Sequence, residues 1–142
     1  MKALGLDLGT KTIGVALSDA FGWTAQGLTT IRRDETSEDA DYTAVVTLIE
    51  ENDVTTVVVG LPRNMNGSVG ESGERSEQFA EALRSRSDAK IVMWDERLTT
   101  VAAQRVLVDA DVSRKKRKQV VDKMAATLIL QGYLDRQGHA RS

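Results

Sequence analysis

The chain has 142 residues, 41% hydrophobic and 28% charged, with a formal net charge of −2, which suits one globular domain with a sizeable core. The charge argues against a protein that coats nucleic acid along its whole surface, but not against an enzyme that needs only local cations beside metal-holding carboxylates. The absence of cysteine excludes a disulfide framework and thiolate metal sites, and no run approaches the roughly 18 apolar residues of a membrane span.

In chain order, residues 3–9 and 12–19 alternate apolar and polar around Gly-Thr-Lys, which predicts a hairpin. Residues 25–32 add a third strand. Ser37, followed by Glu38 and Asp39, reads as a helix N-cap with an acidic first turn. That helix runs to about Asn52 and turns Val45, Val46, Leu48 and Ile49 inward. The β-branched run 54–62 is a strand buried on both faces. A polar, glycine-rich loop spans 63–73, and Ser68 and Glu71 have capping-box spacing for the next helix, which carries Phe79 and Leu83. Residues 90–94 form another buried strand, followed by a helix over 100–110, a basic linker and a last helix over 119–136. This order predicts an α/β domain over 1–137, a mixed five-stranded sheet with helices on both faces, and a disordered tail at 138–142. The N-terminus lacks the apolar stretch of a signal peptide, so the cytoplasm is the expected location.

Three carboxylates fall in unusual places. Along the first strand Ala3, Gly5, Asp7 and Gly9 share a face, and the residues beside Asp7 are too small to cover it. Position alone leaves two readings: Asp7 starts the turn, or it faces a ligand. In "WDERLTT", Asp95 and Glu96 fall where a strand should end, either in a solvated loop or at a site of the kind that α/β sheets place beyond strand ends. Asp122 projects into the apolar sector of the last helix, where an unpaired carboxylate would cost several kcal/mol. It therefore needs a partner, whether a cation, a metal or a set of donors. Carboxylates without cysteine, and with the one histidine, His139, in a polar tail, suit a hard divalent ion and disfavour Ser-His-Asp or Cys-His catalysis.

Arg114, Lys115, Lys116, Arg117 and Lys118 stand together just upstream of Asp122. The run reads as a phosphate-backbone site that positions a polyanion without reading its sequence, with a solvated face as the alternative. In the loop 63–73, Arg63 and Asn64 offer donors to a nucleic-acid groove, or the loop is simply a connector.

"GLDLGTKTIGVALSD", "VVVGLPRNMNGSVGESGERSEQF", "WDERLTT" and "SRKKRKQVVDKMAATLILQGYL" together resemble the bacterial YqgF family, also called RuvX, over nearly the whole chain. Four motifs in order are far more specific than any one. The resemblance implies an RNase H-like fold related to the RuvC resolvase. It implies Asp7, Glu96 and Asp122 as catalytic and metal-holding residues for one or two Mg²⁺ or Mn²⁺ ions, with Asp95 adjacent. The implied task is maturation of the 5′ end of precursor 16S rRNA, in contact with ribosomal particles. The alternative is resolution of branched DNA, which requires a homodimer. Two further readings stand beside it. One is a non-catalytic nucleic-acid-binding scaffold. The other is a nucleotide-binding module, since "DLGTKT" resembles the phosphate-binding hairpin of actin-like ATPases, although 142 residues leave no room for their second domain.

Overall fold

The structure, a computed structural model, describes residues 2–34, 36–64, 66–95 and 114–141, with side chains from Lys123 to Gln137 in the last segment. The expected helix over 100–110 lies outside these residues. Strands β1 (Lys2–Leu8), β2 (Thr12–Ser18), β3 (Ala25–Arg32), β4 (Val54–Leu61) and β5 (Lys90–Asp95) form one sheet in the order β3-β2-β1-β4-β5. The β1–β2 and β2–β3 pairs are antiparallel, and β1–β4 and β4–β5 are parallel. A tight turn suffices for the first two connections, whereas the parallel pairs need crossovers. Helices α1 (Glu38–Glu51) and α2 (Glu71–Arg86) supply them.

Period-two alternation sorts the apolar residues onto two faces. Leu4, Leu6, Ile13, Val15, Val57 and Val59 pack with Val45 and Ile49 of α1 and Phe79 and Leu83 of α2. The other face is smaller in side chain: Ala3, Ala16 and Val58 meet Ala126, Ile129, Leu130 and Leu134 of the last helix, α3 (Arg114–Arg141). Gly5 shows why small residues are needed there. A Cβ on it would lie 2.8 Å from the Leu130 Cβ and 2.9 Å from the Ala126 carbonyl oxygen. The five-stranded mixed sheet with helices on both faces is therefore as expected.

Ser37 caps α1 as its sequence indicates, its hydroxyl accepting from the Ala40 N–H at 3.3 Å. The capping box expected for α2 does not form. Gly70 is the N-cap, without a side-chain bond, and the Ser68 hydroxyl instead donates to Asn66 Oδ1 at 2.6 Å and accepts from Asn64 Nδ2 at 3.0 Å. The short Asn66 side chain reaches Ser68 locally and outcompetes the helix end. The basic run is not a linker. It lies within α3, because Arg and Lys are good helix formers and nothing from Arg114 to Gln131 breaks the helix. The helix continues to Arg141, past its expected end. Among the described residues no helix is long and apolar enough to cross a membrane.

Candidate active site

Asp7 lies near the C-terminal end of β1, half-buried, on the face toward α3. Its cross-strand partner on β2 is Gly14, and two residues before it on the same face is Gly5. The pairing of β1 with β4 runs only to Leu6↔Val59, while that with β2 continues to Leu8↔Ile13. The carboxylate thus stands where the sheet opens on one side, between residues that lack a Cβ.

Helix α3 crosses this face antiparallel to β1 and β3. Gln131 Oε1 accepts from the Ala25 N–H at 2.9 Å, and further along β3 the space over Gly27 is filled by Lys123 and Thr127. Gly5 meets Ala126 and Leu130. Helix numbers fall as strand numbers rise, so the Asp122 position, one turn before Ala126, lies toward the Asp7 end of β1. Its side chain is outside those described.

Sequence reasoning missed a device behind the turn that follows Asp7. Arg33 donates from Nη1 to the Gly9 carbonyl at 2.9 Å and from its backbone N–H to the Lys11 carbonyl at 2.8 Å. Its Nε pairs with Asp41 Oδ2 at 3.1 Å, and its guanidinium lies 5.8 Å from the centre of the Phe79 ring. Asp41 is 3% exposed and also accepts from the Asp34 N–H at 3.0 Å. One guanidinium therefore ties the turn to α1 and α2. A signal existed: Asp41, Val45 and Ile49 recur at i, i+4, i+8, the inward-facing pattern that singled out Asp122.

At the end of β5 alternation separates neighbours. Trp94 pairs with Gly60 and faces α3, where its ring packs on Gly132 and meets Tyr133 edge-on at 6.4 Å. Asp95 shares the opposite parity with Ile91 and Met93, so it belongs to the face away from Asp7. Arg63 Nε approaches its Oδ2 at 4.0 Å. Glu96, next in sequence, lies outside the described residues. In the loop, Arg63 Nη1 donates to the Gly67 carbonyl at 3.4 Å, Asn64 N–H to the Ser68 carbonyl at 2.9 Å, and Gly67 takes φ 88, which favours glycine. Asn64 thus braces the loop, while Arg63 is 38% exposed at its mouth.

Among the described residues no group of three His, Cys, Asp or Glu side chains could hold a metal ion, and of the three candidate ligands only Asp7 has a described side chain. Its half-buried carboxylate, set among glycines at an open strand end, fits a hard cation. Arg114, Lys115, Lys116, Arg117 and Lys118 occupy the first turns of α3. At about 100° per residue those positions circle the helix rather than share one side.

The same fold recurs in proteins solved with Holliday junctions. Thermus thermophilus RuvC in complex with a Holliday junction substrate matches with a TM-score of 0.61, 12% identity, and coverage of 97% of this chain and 96% of that one. The fowlpox virus resolvase in complex with Holliday junction DNA matches with a TM-score of 0.59, 12% identity, and coverage of 96% and 99%. The chain thus has the RNase H-like fold of RuvC-type resolvases. The family described as "RuvX: Holliday junction resolvase" matches residues 1–136. Two relatives, each named "Putative pre-16S rRNA nuclease", come from Shouchella clausii and Halalkalibacterium halodurans. The first is 68% identical over 139 residues, covering 98% of both chains, and the second is 66% identical over 137 residues, covering 96% of this chain and 98% of the relative. The chain belongs to the RuvX family and is a nuclease, a hydrolase of phosphodiester bonds.

Proposed function

We propose that this nuclease matures the 5′ end of precursor 16S rRNA, with Asp7, Glu96 and Asp122 holding Mg²⁺ or Mn²⁺. The observation that carries the reading is Asp7 itself, a half-buried carboxylate at an open strand end on the face crossed by the helix that bears Asp122. The substrate is supported by the full-length similarity to relatives named for precursor 16S rRNA. When bound, such an ion supplies Lewis-acid activation of water and neutralises charge on the departing oxygen.

The chain's own residues do the rest. The three carboxylates hold the ion. Arg114, Lys115, Lys116, Arg117 and Lys118 attract the phosphate backbone, and Arg63, with Asn64 bracing its loop, contacts it beyond β4. Arg33 keeps the 9–12 turn in place behind Asp7. The protein works in the cytoplasm, on RNA within ribosomal particles.

A second reading, resolution of four-way DNA junctions, is favoured by the fold shared with RuvC, and it needs two copies to cut symmetric strands. Purified protein would be offered labelled precursor 16S ends and a four-way junction side by side, in Mg²⁺ and in Mn²⁺. Trimmed RNA with an intact junction is the expected result. Paired symmetric cuts in the junction with untouched RNA would select the second reading, and tight RNA binding without any cleavage would leave a scaffold.

A further inference from the structure

We infer that Lys11 and Arg32, at the end of the β2–β3 hairpin nearest Asp7, are a phosphate-contact point that holds the nucleic-acid strand on the β3 side of the cleavage site. The inference rests on the reading of Asp7 as the place of cleavage.

Strand register brings the two cations together. Thr12 pairs with Arg32, and the Arg33 N–H donates to the Lys11 carbonyl at 2.8 Å. Lys11 and Arg32 are both exposed. Ile31 packs against the core under α1 and α2, so alternation sets Arg32 on the opposite face, the face of Asp7. Asp7 pairs with Gly14 and Gly14 with Thr30, which is two strand spacings, or about 10 Å. Arg32 lies two residues, about 7 Å, further toward the hairpin end. It therefore stands beside the site and not in it.

Ion pairing separates these two residues from their neighbours. At the same end of the sheet Arg33 pairs with Asp41, Arg63 with Asp95 and Arg75 with Glu71. Among the described residues Lys11 and Arg32 have no acid partner. Asp34, two residues from Arg32, is turned to its own loop, its Oδ1 accepting from the Thr36 N–H at 2.8 Å and the Thr36 hydroxyl at 2.6 Å. Like charges on paired strands repel, and a polyanion relieves that repulsion.

The frame beneath them is already ordered. The Gly9 N–H donates to the Thr12 carbonyl at 2.8 Å, and Arg33 Nη1 holds the Gly9 carbonyl at 2.9 Å. A fixed backbone lowers the ordering cost of any contact made on it.

Helix α3 brings a second set of cations to the same level. Ala126 lies over Gly5, and Arg114 to Lys118 precede Ala126 by 12 to 8 residues, about 18 to 12 Å along a helix. From Gly5 to Gly9 a strand covers about 13 Å. Because α3 runs antiparallel to β1, the basic run comes level with the 9–12 turn. Contacts of this kind position a backbone without reading its sequence.

Filter binding of a uniform-sequence single-stranded RNA and of a four-way DNA junction, in EDTA over a salt series, tests this. Leaving out divalent metal makes the outcome independent of which acids hold an ion. Lys11→Ala and Arg32→Ala should each reduce the log–log salt slope by about 0.7 on RNA and about 0.9 on duplex arms, and the double variant by about twice that. Lys11→Arg/Arg32→Lys should keep the wild-type slope. Lys2→Ala/Lys90→Ala removes the same charge from the opposite end of the sheet and should also leave the slope as in wild type. A fall on one ligand alone supports the contact and names the substrate it serves. An unchanged slope on both ligands in Lys11→Ala/Arg32→Ala overturns the inference. So does an equal fall in Lys2→Ala/Lys90→Ala, or a wild type that binds neither ligand.

Discussion

Asp7 and Asp41 are both carboxylates drawn into the protein, and their surroundings divide their roles. Asp7 is set among glycines at a strand end where the pairing with β4 has already stopped. Asp41 is closed in, with Arg33 Nε at 3.1 Å and the Asp34 N–H at 3.0 Å. Asp7→Asn should abolish cleavage yet leave nucleic-acid binding largely intact, read by parallel cleavage and filter-binding assays. Full activity in that variant, with contaminating nuclease excluded, would remove Asp7 from the site. Asp41→Ala strands the Arg33 guanidinium and should cost about 3 kcal/mol, the low end for breaking a buried pair, because Arg33 is 20% exposed. Denaturant unfolding measures it. The spacing that places Asp41 with Val45 and Ile49 is the same that flagged Asp122. Periodicity says that a carboxylate faces inward and is silent on what meets it, since the partner comes from elsewhere in the chain.

The elements were more legible than their ends. Strand alternation and the Ser37 cap are local effects of backbone geometry and one side-chain bond, so they are readable from a few residues. The helical state of the basic run was not, because a charge run looks alike in a linker and in a helix. Its course across β1 depends on Gly5, whose missing side chain lets the helix approach. Gly5→Ala would place a Cβ 2.9 Å from the Ala126 carbonyl, and backbone must shift. Such overpacking costs about 1–3 kcal/mol. Because α3 carries Asp122, the cleavage rate should fall more steeply than the melting temperature, which kinetics and thermal melts on one preparation will compare. At the start of the same helix, replacing one of Arg114 to Lys118 by Ala should weaken binding to all sequences alike and reduce the log–log salt slope by about 1 where that residue contacts a phosphate. The residues circle the helix, so some of the five should change the slope and others leave it unmoved. A slope unchanged with all five replaced would mean a solvated face.

Across the whole molecule, a metal site and a structural ion pair respond oppositely to loss of charge. Carboxylates gathered around an empty site repel each other, so metal-free Asp7→Asn and Asp122→Asn should melt at or above the wild-type temperature. Mn²⁺ at 100 times its Kd should stabilise wild type by about 2.7 kcal/mol, with a smaller gain in both variants. Thermal melts with and without Mn²⁺ check this. A large loss in the metal-free variants, with no metal effect on wild type, would make these carboxylates structural. The sequence by itself determined the strands, the first helix cap and the mixed sheet, because those follow from side-chain period and local hydrogen bonding, and it marked the candidate acids by their positions and by the resemblance to the RuvX family. Only the tertiary structure decided that Asp95 falls on the face away from Asp7, that Arg33 ties the 9–12 turn to Asp41, and that α3 runs antiparallel over β1. Each depends on contacts between residues distant in the chain, whose pairing is set by how two faces pack and not by what either spells locally.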